Sequence, residues 1–246
     1  MFRIFLTNLG KYNEGELVGE WVDLPVDDDF EQAFKDIGIN DQYEEWFITD
    51  YENDYGYRVS EYENIFELNE LAERLENLDD TEKMVVEAYC DGVNDDLDEA
   101  LECAENGDYS IYYDCSNMEQ VAMQWVEDCG GIEYAVREPE NFFDFASYGS
   151  ACRDDLDNMA YDDWEYEHRY DDEDEDDEDA EEFESPYDSY SDYELGEMVI
   201  YDMDGGFEYV DKDTIEDYFD FEALGRELDI EGTFVRVGDN YVEIRY

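Results

Sequence analysis

The sequence predicts an α+β fold: an elongated row of several small domains with a highly acidic surface. Three observations lead there. Segments with the two-residue alternation of half-buried strands sit among segments whose apolar residues recur at helical spacing. The 246 residues are 43% hydrophobic and 17% aromatic, enough to build cores and unlike a disordered chain. Finally, 13 Lys and Arg against 78 Asp and Glu give a formal charge of 13 − 78 = −65, far beyond what solubility needs and costly to a compact state through self-repulsion. Taken as imitation phosphates, these charges match roughly 32 base pairs, a rod of about 110 Å. A single globule of this length would be only about 45 Å across. If the charges follow the spacing of a duplex, the chain is elongated, with small domains in a row; if they are spread over a sphere, the match to a long duplex fails.

Phe2 to Thr7 alternates as a strand and Leu17 to Leu24 reads as its hairpin partner. Gly10, Asn13 and Gly15, which tolerate positive φ, lie between them. Lys11 is followed by Tyr12 and not by Ser or Thr, so the loop is not a P-loop. From Asp27 to Ile37 the residues Phe30, Ala33, Phe34 and Ile37 fall at helical spacing, with Asp27 to Asp29 where the helix dipole favours negative charge. Glu45 to Tyr51 is a third strand, completing a first α/β domain over residues 1–62.

Asn64 and Glu67 are placed as a capping box for a helix striped by Ile65, Leu68, Leu71, Ala72 and Leu75. Its acids Glu67, Glu70, Glu73 and Glu76 are spaced about 4.5 Å along the axis, comparable to phosphates on one strand. Any one helix can carry a solvated acidic face, but here the usual i,i+4 Lys partners are largely missing and Arg74 is the only base. Asp79 with Glu82 opens a second helix through Met84, Val85, Ala88 and Tyr89. Asp95 to Glu105 is a third, with Leu97, Ala100, Leu101 and Ala104 inward. These form an acidic helical domain, residues 63–107. Tyr109 to Tyr113 is a strand and Ser116 with Glu119 caps a helix reaching Cys129, the first part of a third domain, residues 108–153.

Residues 154–194 are an acidic block; from Asp171 to Glu182 every position but Ala180 is acidic. It is either a solvating linker, which the domains beside it would fold without, or an ordered arm packed by aromatics such as Tyr161, Trp164, Tyr170, Phe183 and Tyr187; the expectation is that folding does not need it. Residues 195–246 read as strand, turn at Gly205 and Gly206, strand, helix from Thr214 to Leu228, and a hairpin of Thr233 to Val237 with Tyr241 to Arg245. YFDFEALGREL near its middle echoes NFFDFASYGSAC at Asn141 to Cys152, so the third domain is either split by the block or partly duplicated.

NLGKYNEGELVGEW from Asn8, YEEWFITD from Tyr43 to Asp50, SIYYDCSNMEQVAMQWVEDCG from Ser110 to Gly130 and YFDFEALGRELD from Tyr218 to Asp229 together resemble the ArdA antirestriction proteins of mobile elements and phages. The resemblance implies a non-enzymatic DNA mimic that occupies the DNA-binding groove of type I restriction-modification enzymes. It also implies a dimer contact in the third domain, which falls here on Tyr109, Ile111, Tyr112 and Tyr113. With that role, the phosphate-imitating candidates are Asp50, Glu52, Asp54, Glu61, Glu63, Glu67, Glu70, Glu73, Glu76, Asp91, Asp95, Asp96, Asp98, Glu99 and Glu102.

Composition excludes several other functions. No basic patch exists to bind nucleic acid directly, and anionic lipid would repel the chain. The N-terminal residues lack an apolar h-region and no apolar run reaches membrane-span length. Cys90, Cys103, Cys115, Cys129 and Cys152 are odd in number and unpaired in spacing, pointing to a reduced, cytoplasmic protein, and the resemblance implies that its cytoplasm is that of a bacterial host. The one histidine, His168, has no nucleophile in a recognisable setting and cannot assemble a usual zinc site. Asp202, Asp204 and Gly205 lack EF-hand spacing, so no metal, cofactor or catalytic role is expected. Two alternatives to a type I inhibitor stand: a mimic aimed at another DNA-binding defence complex, and an acidic module that sequesters basic proteins.

Overall fold

Alternation puts Phe2, Ile4 and Leu6 on one face of strand β1 (Phe2–Asn8), and all three are buried. In the computed structural model, which describes residues 1–168 and 183–245, β1 lies between β2 (Gly19–Asp23) and β3 (Trp46–Asn53) in an antiparallel sheet. The predicted hairpin is present, but a five-residue helix, α1 (Leu9–Asn13), replaces its turn. The Asn8 side chain caps that helix by accepting from the Lys11 N–H at 3.0 Å. Gly15 has positive φ, +89°, whereas Gly10 and Asn13 are helical. Helix α2 (Glu31–Asp36) starts later than expected because Asp29 and Phe30 take φ of 49° and 64°. Burial of the Phe30 ring, which is fully enclosed, holds this unfavourable backbone.

Helices α3 (Ile65–Asn77), α4 (Asp80–Gly92) and α5 (Leu97–Asn106) bury nearly the stripes their spacing predicts: Ile65, Leu68, Ala72 and Leu75; Val85, Ala88 and Tyr89; Leu97, Ala100, Leu101 and Ala104. The Asp79–Glu82 capping box forms in full. Asn64 caps α3 through the Phe66 N–H at 3.1 Å, not in a reciprocal box with Glu67. Asn69 is the polar member of the buried face of α3. Its Oδ1 accepts from the Val26 N–H at 2.7 Å and its Nδ2 donates to the Val26 carbonyl at 3.1 Å, pinning the segment after β2 to the helix.

A second sheet joins β4 (Tyr109–Tyr112), β5 (Thr233–Val237) and β6 (Asn240–Ile244), with β6 in the centre. Val242 and Ile244 enter the same hydrophobic core as β1 and α3 to α5. That core is continuous across residues 62 and 107, where the sequence division sets its first boundaries. The chain accordingly forms two compact units, Met1–Val121 with Glu227–Tyr246, and Ala122–Arg226.

Helix α6 (Met118–Cys129) begins in the first unit and runs into the second, where it is followed by α7 (Ile132–Ala135) and the long α8 (Phe145–His168). The cap of α6 is Asn117, which accepts from the Gln120 N–H at 3.0 Å; Ser116 bonds the Gln120 side chain instead of Glu119. Residues 154–168, the start of the acidic block, are helical, and Leu156 is buried against Leu195 and Val199. Arg169, Tyr170 and the Asp171 to Glu182 run lie outside the described residues. Tyr161 and Trp164 gather on Phe183, with centroids 5.3 and 6.0 Å from it.

α9 (Asp192–Met198), continued by a π turn at Val199–Met203, stands where a strand is predicted. Its backbone lies on α8: a Cβ on Gly149 would sit 1.9 Å from the Asp192 carbonyl oxygen, and one on Gly196 would sit 2.0 Å from that of Phe145. Arg153 of α8 donates to the Tyr190 carbonyl at 3.0 Å and to Asp192 at 2.7 Å. A 3-10 turn at Phe207–Tyr209 occupies the second predicted strand. Two helices, α10 (Lys212–Asp217) and α11 (Phe221–Glu231), replace the single predicted one.

The break between α10 and α11 is where the repeated motif meets itself. Phe143 and Phe219 form an antiparallel bridge. The Asp144 N–H donates to the Tyr218 carbonyl at 2.8 Å, and the Asp220 N–H to the Phe142 carbonyl at 2.7 Å. Each Asp also accepts from a backbone N–H three residues on, Ser147 at 3.0 Å and Ala223 at 2.8 Å. The seam has local two-fold character, with one copy on each side.

Candidate functional site

Glu67, Glu70, Glu73 and Glu76 are all exposed on α3, and no ion pair among the described residues includes them. Arg74 turns away from this row, meeting Glu105 at 2.8 Å and also Asp98, both on α5. The hydrogen bond from Arg74 is the chief cause that holds Glu105 below the usual carboxylate range, against burial and the nearby Asp98, which push it up. Three residues turn an α-helix by roughly 300°, so the row retreats about 60° per step and winds left-handedly over the outward half of α3. A B-DNA strand winds the other way. One helix cannot trace a phosphate strand; several elements must contribute.

The other candidates divide by what they already hold. Glu52 pairs with Arg3, Asp54 with the N-terminal amine, Asp95 with Arg58 at 3.5 Å and Asp98 with Arg74. Asp96 caps α5, and Glu99 accepts from the Tyr89 hydroxyl at 3.1 Å and Asn94 at 3.0 Å. Glu63 is half-buried, accepting from the Tyr57 hydroxyl and from the Ser60 N–H at 2.8 Å. Asp50, Glu61, Asp91 and Glu102 are exposed. The acids thus serve two ends, with part of the set holding loops and helix starts and the α3 row left open. Crowding also registers in the titration of neighbours: burial, then Asp91 and Asp54, raise Glu87, and burial, then Asp36, raise Glu20.

The four residues expected at a dimer contact do not share one environment. Tyr112 is only 2% exposed, its ring 5.9 Å from Phe234 and its hydroxyl donating to Glu243 at 3.2 Å, so it belongs to the interior and not to a contact surface. Tyr109 and Ile111 are half-buried against the core, and Tyr113 is exposed. β4 pairs with β6 on one side and forms an edge of its sheet on the other.

A cleft of about 200 Å³ beside this acidic surface was not evident from the sequence. β3 is its floor, the 61–63 loop one wall and the start of α3 the other, with Trp46, Phe47, Glu61, Tyr62, Glu63 and Phe66 lining it. Tyr62 stacks on Phe47 at 6.2 Å, and Tyr12 meets the same ring at 5.2 Å. The nearest sequence signal is the alternation of Glu61, Tyr62, Glu63 and Phe66, which carries no period of a strand or helix.

All five cysteines are free thiols; burial pushes Cys90 up to about 12. Among the described residues no helix is long and apolar enough to cross a membrane.

The described residues form a mixed α/β protein with a row of exposed carboxylates on α3, in a chain of formal charge −65. Residues 4–163 match the family of the antirestriction protein ArdA, and the chain belongs to that antirestriction family. The match takes in the motifs from Asn8 to Gly130 and extends into the acidic block, but it stops before Tyr218 to Asp229, which the sequence resemblance includes. No curated protein matches the chain.

Proposed function

We propose that this protein inhibits type I restriction-modification enzymes by occupying their DNA-binding groove, its carboxylates standing in for phosphates. The observation that carries the reading is the open row Glu67, Glu70, Glu73 and Glu76, unpaired by any cation of its own helix, in a member of an antirestriction family with a formal charge of −65. No bond is made or broken in this action, and no metal, cofactor or catalytic residue takes part. A one-signed surface steers the inhibitor to a groove of Lys and Arg and raises the association rate, most at low ionic strength. The opposite hand of the α3 row and a DNA strand makes the mimicry collective: α3, α4 and α5 supply charges to one field. An elongated shape, the finer division into successive small domains, action in the cytoplasm of a bacterial host and a homodimer formed along the free edge of β4 with Tyr113 complete the proposal. The acidic block, residues 154–194, is where a range of targets wider than type I enzymes would be set.

The test is competition. A labelled duplex is bound to a purified type I methyltransferase and the protein is titrated in at several salt concentrations. Displacement of the duplex, weakening steeply with salt, is expected. Simultaneous binding of both, or displacement indifferent to salt, would overturn the reading.

A further inference from the structure

The geometry points to an arginine-binding cleft on the first unit, in which a guanidinium from a basic partner protein lies against the rings of Tyr62 and Phe66 between Glu61 and Glu63. This rests on the proposed role as an inhibitor of a basic groove and names one anchoring contact within it. Tyr62 is 70% exposed and Phe66 41%, and what sets them apart from the other exposed rings is that they face each other across one cleft with Glu61 and Glu63 beside them. Neither ring is loosely held: Phe47 supports Tyr62, and Phe30 meets Phe66 edge-on at 5.6 Å. The wall between them is fixed as well. The Ile48 N–H donates to the Glu61 carbonyl at 2.8 Å, and Glu63 is tied to Tyr57 and Ser60. A cleft whose faces are set before the partner arrives loses little side-chain freedom on binding.

Charge selects the occupant. The start of α3 turns the positive end of its dipole toward the cleft, worth about half a charge, but Asn64 caps the Phe66 N–H and the two carboxylates outweigh it about fourfold. A cation is favoured over an anion. Arginine is favoured over lysine because its plane stacks on a ring while its edge donates to a carboxylate, which a compact ammonium cannot do together. The distributed acids then supply steering, and the cleft supplies the localised contact that aromatic anchors provide in protein interfaces.

The experiment uses the full chain with hexa-arginine and hexa-lysine peptides, followed by calorimetry and by the Trp46 indole resonance, and in parallel a purified type I methyltransferase. Hexa-arginine should bind more tightly than hexa-lysine and shift the Trp46 signal. Tyr62→Ala, at an exposed position that leaves the fold intact by near-UV circular dichroism, should lower hexa-arginine affinity about tenfold and leave hexa-lysine unchanged. Against the methyltransferase the same variant should weaken binding about tenfold without altering the salt slope, whereas Glu61→Gln should reduce both. Equal loss for the two peptides, or an unmoved Trp46 signal, overturns the cleft. Peptide results as expected with an unaffected methyltransferase would support the cleft and count against type I enzymes as the target.

Discussion

Gly196→Ala should destabilise the second unit, although alanine is the better helix former. In an open helix the exchange would stabilise by about 0.5–1 kcal/mol. Here the new Cβ would lie 2.0 Å from the Phe145 carbonyl oxygen, whereas side-chain carbons essentially never come within 3.0 Å of such an atom. The obstacle is backbone, so α9 must withdraw from α8 by about 1 Å. That movement loosens Leu195 and Val199 from Leu156 and strains the hold of Arg153 on Asp192. Overpacking of a close contact costs about 1–3 kcal/mol, and the upper end applies where neither backbone can yield. After the propensity gain the net loss is about 2 kcal/mol, or roughly 10 °C in the midpoint of a unit of this size. Hydrogen exchange of the α8 and α9 amides, with thermal unfolding of the whole chain, measures it. A variant as stable as the parent, or more stable, would refute the close crossing of the two helices.

Replacing Asn69 by Ala strands both polar groups of Val26 in a part-buried setting and should cost about 2–3 kcal/mol in urea unfolding. The pH dependence should pass through a maximum. Glu87 and Glu20 have raised folded pKa values, so their unfavourable contribution at neutral pH fades as pH falls towards the upper edge of the carboxylate range. Glu105 and Asp144 have lowered ones, so the stability they lend is present above the usual carboxylate range and lost as pH falls through it; a midpoint rising steadily down to strongly acid pH would contradict this. Glu70→Gln alone should change inhibition of a type I enzyme less than twofold, while neutralising Glu67, Glu70, Glu73 and Glu76 together should weaken it by at least tenfold in a DNA-competition assay. Exchanging residues 154–194 for a neutral Gly/Ser linker should unfold the second unit, seen as loss of α8 and α9 protection, because the exchange removes Leu156, Tyr187 and Asp192 from its packing.

Where one physical cause dominates a segment, the sequence is legible. The stripes of α3, α4 and α5 are amphipathic at a single period, and the helices bury nearly those residues; the hairpin of β5 and β6 likewise follows from alternation about Gly238. Met198 to Tyr201 misleads because β-branched and aromatic residues suit a strand, yet contact with α8 through Gly196 winds them into a helix end. The break at Tyr218 to Asp220 is invisible to periodicity, being imposed by pairing with Phe143 far away in the chain. For the candidate site, exposure of the α3 acids is readable from the stripe they oppose. The engagement of Glu52, Glu63 and Asp98 is not, since it depends on which base or hydroxyl the fold brings to each. The burial of Tyr112 has the same origin: Phe234 and Glu243 cover it from strands more than a hundred residues later.

The return of β5 and β6 to the first unit bears on how the protein is made. A ribosome delivers residues in order, so everything from Ala122 to Arg226 emerges before the strands that complete the earlier core. The second unit can fold while it is being translated, whereas β4 must wait for β6, and until then the seat of Val242 and Ile244 stays uncovered. Such late, long-range pairing is slow, because loop closure must precede its reward. During that interval the nascent protein is held apart from its neighbours by its own negative charge, which discourages chains with an unfinished sheet edge from joining one another.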